Sequence, residues 1–215
     1  MSNFEVLRPF GTSIYYSTMN EDMMTTLRDI AKTSRDDGLD MRPRLAGNID
    51  REQQWLVNDD VRRDFYYQLL PHLRTFTESE DNRFQKLLIK KSEIQNNYDK
   101  MDYTFITEPW INYQKANEFN PIHSHHGQYS SVLYIDVPEE IAQENKDGKS
   151  NMTCRGQIEF IYSNDQLGSN GTHKIIPKTG DILLFDARLK HCVYPFISDV
   201  ERISMSFNVN VNFME

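Results

Sequence analysis

Asn120-Pro121-Ile122-His123-Ser124-His125-His126-Gly127 places three of the chain's six histidines within four residues. A polar stretch, Lys115 to Asn120, leads into it, and a strand-like run, Ser131 to Val137, follows. Side chains of an extended segment alternate between faces, so His123 and His125 point to one side and His126 to the other. Two imidazoles on one face, about 7 Å apart along a strand, can close onto a single metal ion if the strand bends at its end. A third ligand must come from elsewhere. The best candidate is His191, in Leu189-Lys190-His191-Cys192-Val193. An isolated His-x-His reads equally well as a polar turn, so its meaning depends on the surrounding pattern. His72 and His173 stand outside it. Cys192 should point away from its neighbour's face and be inert.

Working outward, the second half of the chain has the texture of a β protein. Tyr103 to Ile106, Trp110 to Tyr113, Ser131 to Val137, Gln157 to Tyr162, Lys174 to Ile176, Ile182 to Phe185, Cys192 to Phe196 and Ile203 to Val211 all read as short strands. Turn chemistry separates some of them, as in Gly168-Ser169-Asn170-Gly171 and Pro177-Lys178-Thr179-Gly180. Eight short strands after a helical lead-in predict a jelly roll, an α+β but mainly β fold. The charged segment Pro138 to Met152 lacks periodicity and reads as an insertion or lid.

The first half supplies support. Residues 4–18 read as strand and loop. Asn20 caps a helix carrying Met23, Leu27 and Ile30 at helical spacing, with Glu21 and Asp22 in its first turn and an end near Ser34. The segment to about Asp50 is polar and irregular. A second helix from Asn58 or Asp59 turns Val61, Phe65, Tyr66 and Leu69 inward, and Pro71 should end or kink it. A third helical stretch is expected from Phe84 to Ile94. Residues 1–100 are thus a helical lead-in and 101–215 the β core, in one structural domain overall. The candidate residues all fall in the second half.

In Arg202-Ile203-Ser204-Met205-Ser206-Phe207-Asn208-Val209-Asn210-Val211 the alternation is strict. If helices cover the apolar face, the polar face lines the barrel mouth. A buried Arg202 there would be costly unless an anion met it. A guanidinium grips a planar carboxylate bidentately, and the Ser204 hydroxyl is placed to share the contact.

Bulk properties exclude other classes. A net charge of -8 and a 38% hydrophobic content describe an acidic globular chain without the basic face of a general nucleic-acid binder. No apolar run reaches membrane-spanning length. Two cysteines and no charged-then-apolar leader make a cytoplasmic location the expectation.

With these residues in view, the sequence resembles the 2-oxoglutarate- and Fe(II)-dependent oxygenases, most closely their prolyl-4-hydroxylase-like group in bacteria and viruses. The resemblance rests on Tyr113, His123-Ser124-His125, Val132-Leu133-Tyr134-Ile135-Asp136, Pro177-Lys178-Thr179-Gly180 with the apolar run to Phe185, then His191, then Arg202-Ile203-Ser204, all in the family's order. It covers about residues 103–211. It implies a double-stranded β-helix with N-terminal helices against one face, and Fe(II) held by His123, His125 and His191. Arg202, Ser204, Tyr113 and Tyr134 would bind 2-oxoglutarate, and dioxygen would complete the reactants. A peptide, prolyl or small-molecule substrate would be hydroxylated, with release of succinate and carbon dioxide. One departure stands out: the family's usual second ligand is Asp or Glu, and here the place holds His125. Three neutral imidazoles leave the site more positive by one charge, and they also suit zinc. Two other readings stay open: a three-histidine dioxygenase that dispenses with 2-oxoglutarate, and a non-catalytic jelly-roll module with a residual metal site.

Overall fold

The computed structural model describes residues 4–7, 12–87, 101–150, 153–163 and 170–213. In chain order they form β1 (Phe4–Leu7), β2 (Ile14–Thr18), α1 (Glu21–Asp37), a 3-10 turn (Arg42–Arg44), β3 (Glu52–Gln54), α2 (Asp59–Leu87), β4 (Met101–Phe105) and β5 (Trp110–Gln114). There follow β6 (Asn120–His123), β7 (Tyr129–Asp136), α3 (Glu139–Asp147), β8 (Ile158–Ile161), β9 (Thr172–Ile175), β10 (Asp181–Asp186), β11 (Lys190–Val193) and β12 (Arg202–Phe213).

The strands make two antiparallel sheets. The larger runs β1-β2-β10-β7-β12-β5-β3, with β4 pairing the far end of β12; the smaller runs β6-β11-β8-β9. On one face of the large sheet, Ile111, Leu133, Ile182, Leu184, Met205, Phe207 and Val209 pack beneath Leu27 of α1 and Phe65, Leu69 and Leu73 of α2. Phe207 is fully buried, edge-on to Phe65 at 5.7 Å. On the other face, Val132, Tyr134, Leu183 and Phe185 meet Ile158, Phe160 and Val193 of the small sheet and Leu189, just before β11. Period-two alternation in β7, β10 and β12 feeds both layers at once. The architecture is a double-stranded β-helix with helices against one face.

Local chemistry sets the boundaries. Asn20 Oδ1 accepts from the Met23 amide at 2.9 Å at the start of α1, and Asn58 Oδ1 does the same for Val61 at the start of α2. Gly180, at φ +89°, turns the chain into β10 and donates its N–H to the Tyr134 carbonyl.

Several expectations need correcting. α1 continues past Ser34 to Asp37, where the Gly38 amide closes it onto the Ser34 carbonyl. α2 runs through Pro71, which lies on its exposed side, because the apolar stripe on either side (Leu69, Leu70, Leu73, Phe76) is bound to the sheet. The loss of one backbone hydrogen bond does not outweigh that burial. The expected third helix is, up to Leu87, the end of α2; residues 88–94 lie outside the described residues, as does part of the expected 168–171 turn. Pro138 to Met152 is no featureless insertion: α3 occupies Glu139–Asp147 and buries Ile141. The irregular segment before Asp50 leads into a further sheet strand, β3, so the N-terminal half supplies three strands as well as helices.

Burial holds the His72 imidazole at about 4, below its ordinary value. Its Nδ1 and the Tyr15 hydroxyl are hydrogen-bonded at 2.9 Å. The folded state therefore takes up a proton on this ring less readily than the unfolded chain. The stability it contributes is complete above pH 6.5 and is lost as pH falls through 4. Between those limits the loss approaches ~1.4 kcal/mol per pH unit. Thermal melts from pH 7 to 4 should show a shallower acid decline in His72→Gln than in the native chain.

Candidate active site

His123 ends β6 and stands opposite His191 of β11 in the strand register, their rings 4.3 Å apart. The chain then leaves the sheet. The His125 amide donates to the Ala187 carbonyl at 2.7 Å, and this bend carries the third imidazole inward. His125 Nε2 lies 3.2 Å from His191 Nε2, and one ring nitrogen from each histidine lies within 4.8 Å of the others. Two tautomers follow from hydrogen bonding. A carbonyl can only accept, so Nδ1–H of His123 donates to Pro121 O and that of His191 to Leu189 O. Both leave Nε2 with its lone pair free, the form that binds a metal. Phe185, edge-on at 4.8 Å, and Phe160 flank His191, while Trp110 lies beside His125. Burial pushes all three imidazoles down, His125 to about 4 and His191 to about 3, so they are neutral at ordinary pH. His126 is exposed and outside the cluster.

The opposite wall of the same pocket is the polar face of the large sheet. Arg202, Ser204 and Ser206 line it from β12, Asn112 and Trp110 from β5, and Tyr134 from β7. Arg202 is 3% exposed. Its guanidinium donates to the Gly156 carbonyl at 2.7 Å and to the Gln114 side-chain oxygen, while its Nε lacks a partner. No ion pair to it exists among the described residues: Glu201 pairs with Arg35 instead. Tyr134 is fully buried with its ring 5.5 Å from the guanidinium, and its hydroxyl is unpartnered. Burial raises that phenol to about 12, so it is present as a donor.

Tyr113 does not join this group. Strand alternation puts Ile111 and Tyr113 on the helix side of β5, and the Tyr113 hydroxyl donates to the Ala31 carbonyl of α1 at 2.5 Å. The expected cosubstrate contact is thereby replaced by a brace between helix and sheet. Asn112, which lines the pocket, and Gln114, which accepts from Arg202, lie on the opposite side of β5 from Tyr113, as the alternation from Trp110 to Gln114 requires.

The front wall is formed by Leu45, Ala46, Gly47, Ile49 and Glu52, none of which the sequence reading singled out. No local pattern marks them. Glu52 is 1% exposed, and burial followed by the repulsion of Asp40 and Glu118 raises its carboxyl to about 7. Glu118 is spent on the Asp50 and Lys115 amides.

The fold is that of a double-stranded β-helix protein, and its converging imidazoles make a donor set suited to a divalent metal. Residues 108–208 match the model of a family described as "Putative 2OG-Fe(II) oxygenase". Over this segment, just under half of the chain, the sequence is similar to the 2-oxoglutarate- and Fe(II)-dependent oxygenases. The family works with Fe(II), 2-oxoglutarate and dioxygen. Among solved structures, a prolyl-4-hydroxylase from Pseudomonas putida shares the fold at a TM-score of 0.50 and 14% identity, over 96% of this chain and 92% of that one. A Trichoplax adhaerens prolyl hydroxylase in complex with a hypoxia inducible factor peptide fragment gives 0.49 and 15%, over 95% and 81%. HygX from Streptomyces hygroscopicus, with nickel, 2-oxoglutarate and hygromycin B bound, gives 0.49 and 8%, over 97% and 82%. No curated protein matches the chain. No helix among the described residues is long and apolar enough to cross a membrane.

Metal uptake tests the cluster directly. His123→Ala, His191→Ala and His125→Ala should each weaken Fe(II) or Zn(II) binding by more than ~10-fold, the lower bound for losing even an outer-shell partner. His125→Asp should retain the metal. Calorimetric titration of the four variants gives the comparison.

Proposed function

We propose that His123, His125 and His191 hold the Fe(II) of this oxygenase and that Arg202, with Tyr134 and Ser204, receives the distal carboxylate of 2-oxoglutarate. The residues fit both groups. Three imidazoles with converging ring nitrogens are a facial donor set for a divalent ion. Across the pocket, a buried guanidinium with no carboxylate partner and a buried phenol with no acceptor are both aimed at the same space. The observation that carries the reading is Arg202: a charge so buried, met only by a carbonyl and an amide, is a costly arrangement that an incoming carboxylate relieves.

When bound, Fe(II) together with 2-oxoglutarate and dioxygen supplies the oxidising power that replaces a substrate C–H bond by C–OH, with succinate and carbon dioxide as coproducts. The chain does the rest. Arg202 and Tyr134 set the position and orientation of the cosubstrate by charge and hydrogen bonding. Gln114 and the Gly156 carbonyl hold the guanidinium in place before it arrives. Phe185, Phe160 and Trp110 keep the imidazoles against an apolar backing that excludes water. The substrate, a peptide or small molecule, enters beside the front wall from Leu45 to Glu52.

Anaerobic addition of Fe(II) and 2-oxoglutarate should give the visible charge-transfer band of the keto-acid chelate. Arg202→Ala should weaken 2-oxoglutarate binding by roughly 30-fold or more, the cost of removing one partner of a buried charged contact. Iron uptake without the band, or an unchanged affinity in the variant, overturns the assignment.

A further inference from the structure

We propose that the front wall is a subsite for a primary ammonium group, so that the substrate is an amine, and that Glu52 is the residue that selects it. As a statement about substrate this rests on the oxygenase reading; as a statement about binding it stands alone. Glu52 of β3 pairs in register with Asn112 of β5, Asn112 with Ser204 of β12, and Ser204 with Tyr134 of β7. One row of polar side chains thus crosses the pocket, with the carboxylate at the sheet edge and the phenol at the other end.

The two ends want opposite ligands. Near Arg202 the orphaned atoms are donors. Near Glu52 they are acceptors: Glu52 Oε2, Asn112 Oδ1 and Asn120 Oδ1 are all buried without a hydrogen-bond partner. Asn112 has already spent its amide N–H groups on Ser204 and Ser206. An asparagine can turn over to present its amide, but a carboxylate cannot change sign, so Glu52 sets the preference. Among the described residues none neutralises it. Its charged surroundings are Asp40, Glu118 and Arg42, and Arg42 is exposed and paired with Asp40. The same cavity is lined by Gly47, Glu52, Asn112 and Asn120, and Gly47 lies so close to the acceptors that a Cβ there would come within 2.5 Å of Asn120 Oδ1 and 2.8 Å of Glu52 Oε1.

An ammonium group carries three donors and one positive charge, matching three acceptors of which one is anionic. A hard cation such as calcium takes six to eight oxygens and more carboxylates than this wall offers. The amine can belong to a lysine side chain in a peptide or to a free small molecule, and the test separates them.

The test uses the full chain, freed of metal with a chelator so that an amine cannot bind the metal centre instead. At pH 8 it is titrated calorimetrically with n-butylammonium, n-butanol, calcium and acetyl-Gly-Lys-Gly-amide. The expected result is binding of at least one amine, no binding of butanol or calcium, and about ten-fold weaker amine binding in Glu52→Gln. Tighter binding of the peptide than of butylammonium assigns a lysyl substrate, and the reverse a small amine. Gly47→Ala, which keeps the carboxylate but drives a Cβ against Asn120 Oδ1 and Glu52 Oε1, should weaken binding as well. Equal binding by the native chain and Glu52→Gln, binding of butanol or calcium in place of amines, or no amine binding by the folded chain overturns the proposal. If the amine binds but the keto-acid band never forms, the oxygenase assignment fails and the ammonium subsite stands.

Discussion

β12 has to satisfy two environments with one backbone. Its Met205, Phe207 and Val209 are buried under two helices, while Arg202, Ser204 and Ser206 form the floor of a polar pocket. A slip of one residue in its pairing with β5 or β7 would exchange the faces, sending a guanidinium under α1 and α2 and phenylalanine into the pocket. The long ladder with β7, from Ile203–Asp136 to Val209–Tyr129, and the shorter one with β5 hold the register. Fold and site are therefore fixed by the same hydrogen bonds.

Around that strand, charge is distributed unevenly. The pocket has a buried guanidinium at one side, a buried carboxyl at the other, and three imidazoles that burial keeps neutral between the sheets. With a histidine at position 125, the donor cluster at the centre of this arrangement carries no negative charge. The carboxyl of Glu52 shares the pocket but is not part of the donor cluster, which contains histidines alone among the described residues.

The helices do more than cover the sheet. Tyr113 bonds back to Ala31, Arg35 lies over the Tyr113 ring at 4.4 Å, and the same arginine pairs with Glu201, next to Arg202. This chain of contacts ties the end of α1 to the start of β12. A half-buried pair of this kind contributes modestly to stability. Its consequence here is positional: Glu201 is drawn to the helix side, which leaves its neighbour in the pocket without an acidic partner.

Sequence alone determined the strand periodicities, the jelly-roll class, the starting cap at Asn20, and the set of His123, His125, His191, Arg202, Ser204 and Tyr134 as residues to be brought together. Each is written in local spacing or in residue chemistry. Tertiary structure decided what local spacing does not contain. The side of the sheet taken by Tyr113 depends on which face α1 covers. Passage of a helix through Pro71 depends on the apolar surface beneath it. The place of Glu52 in the pocket wall depends on an edge strand formed by residues some sixty positions from those it joins, and pairing across that distance leaves no periodic trace in the chain.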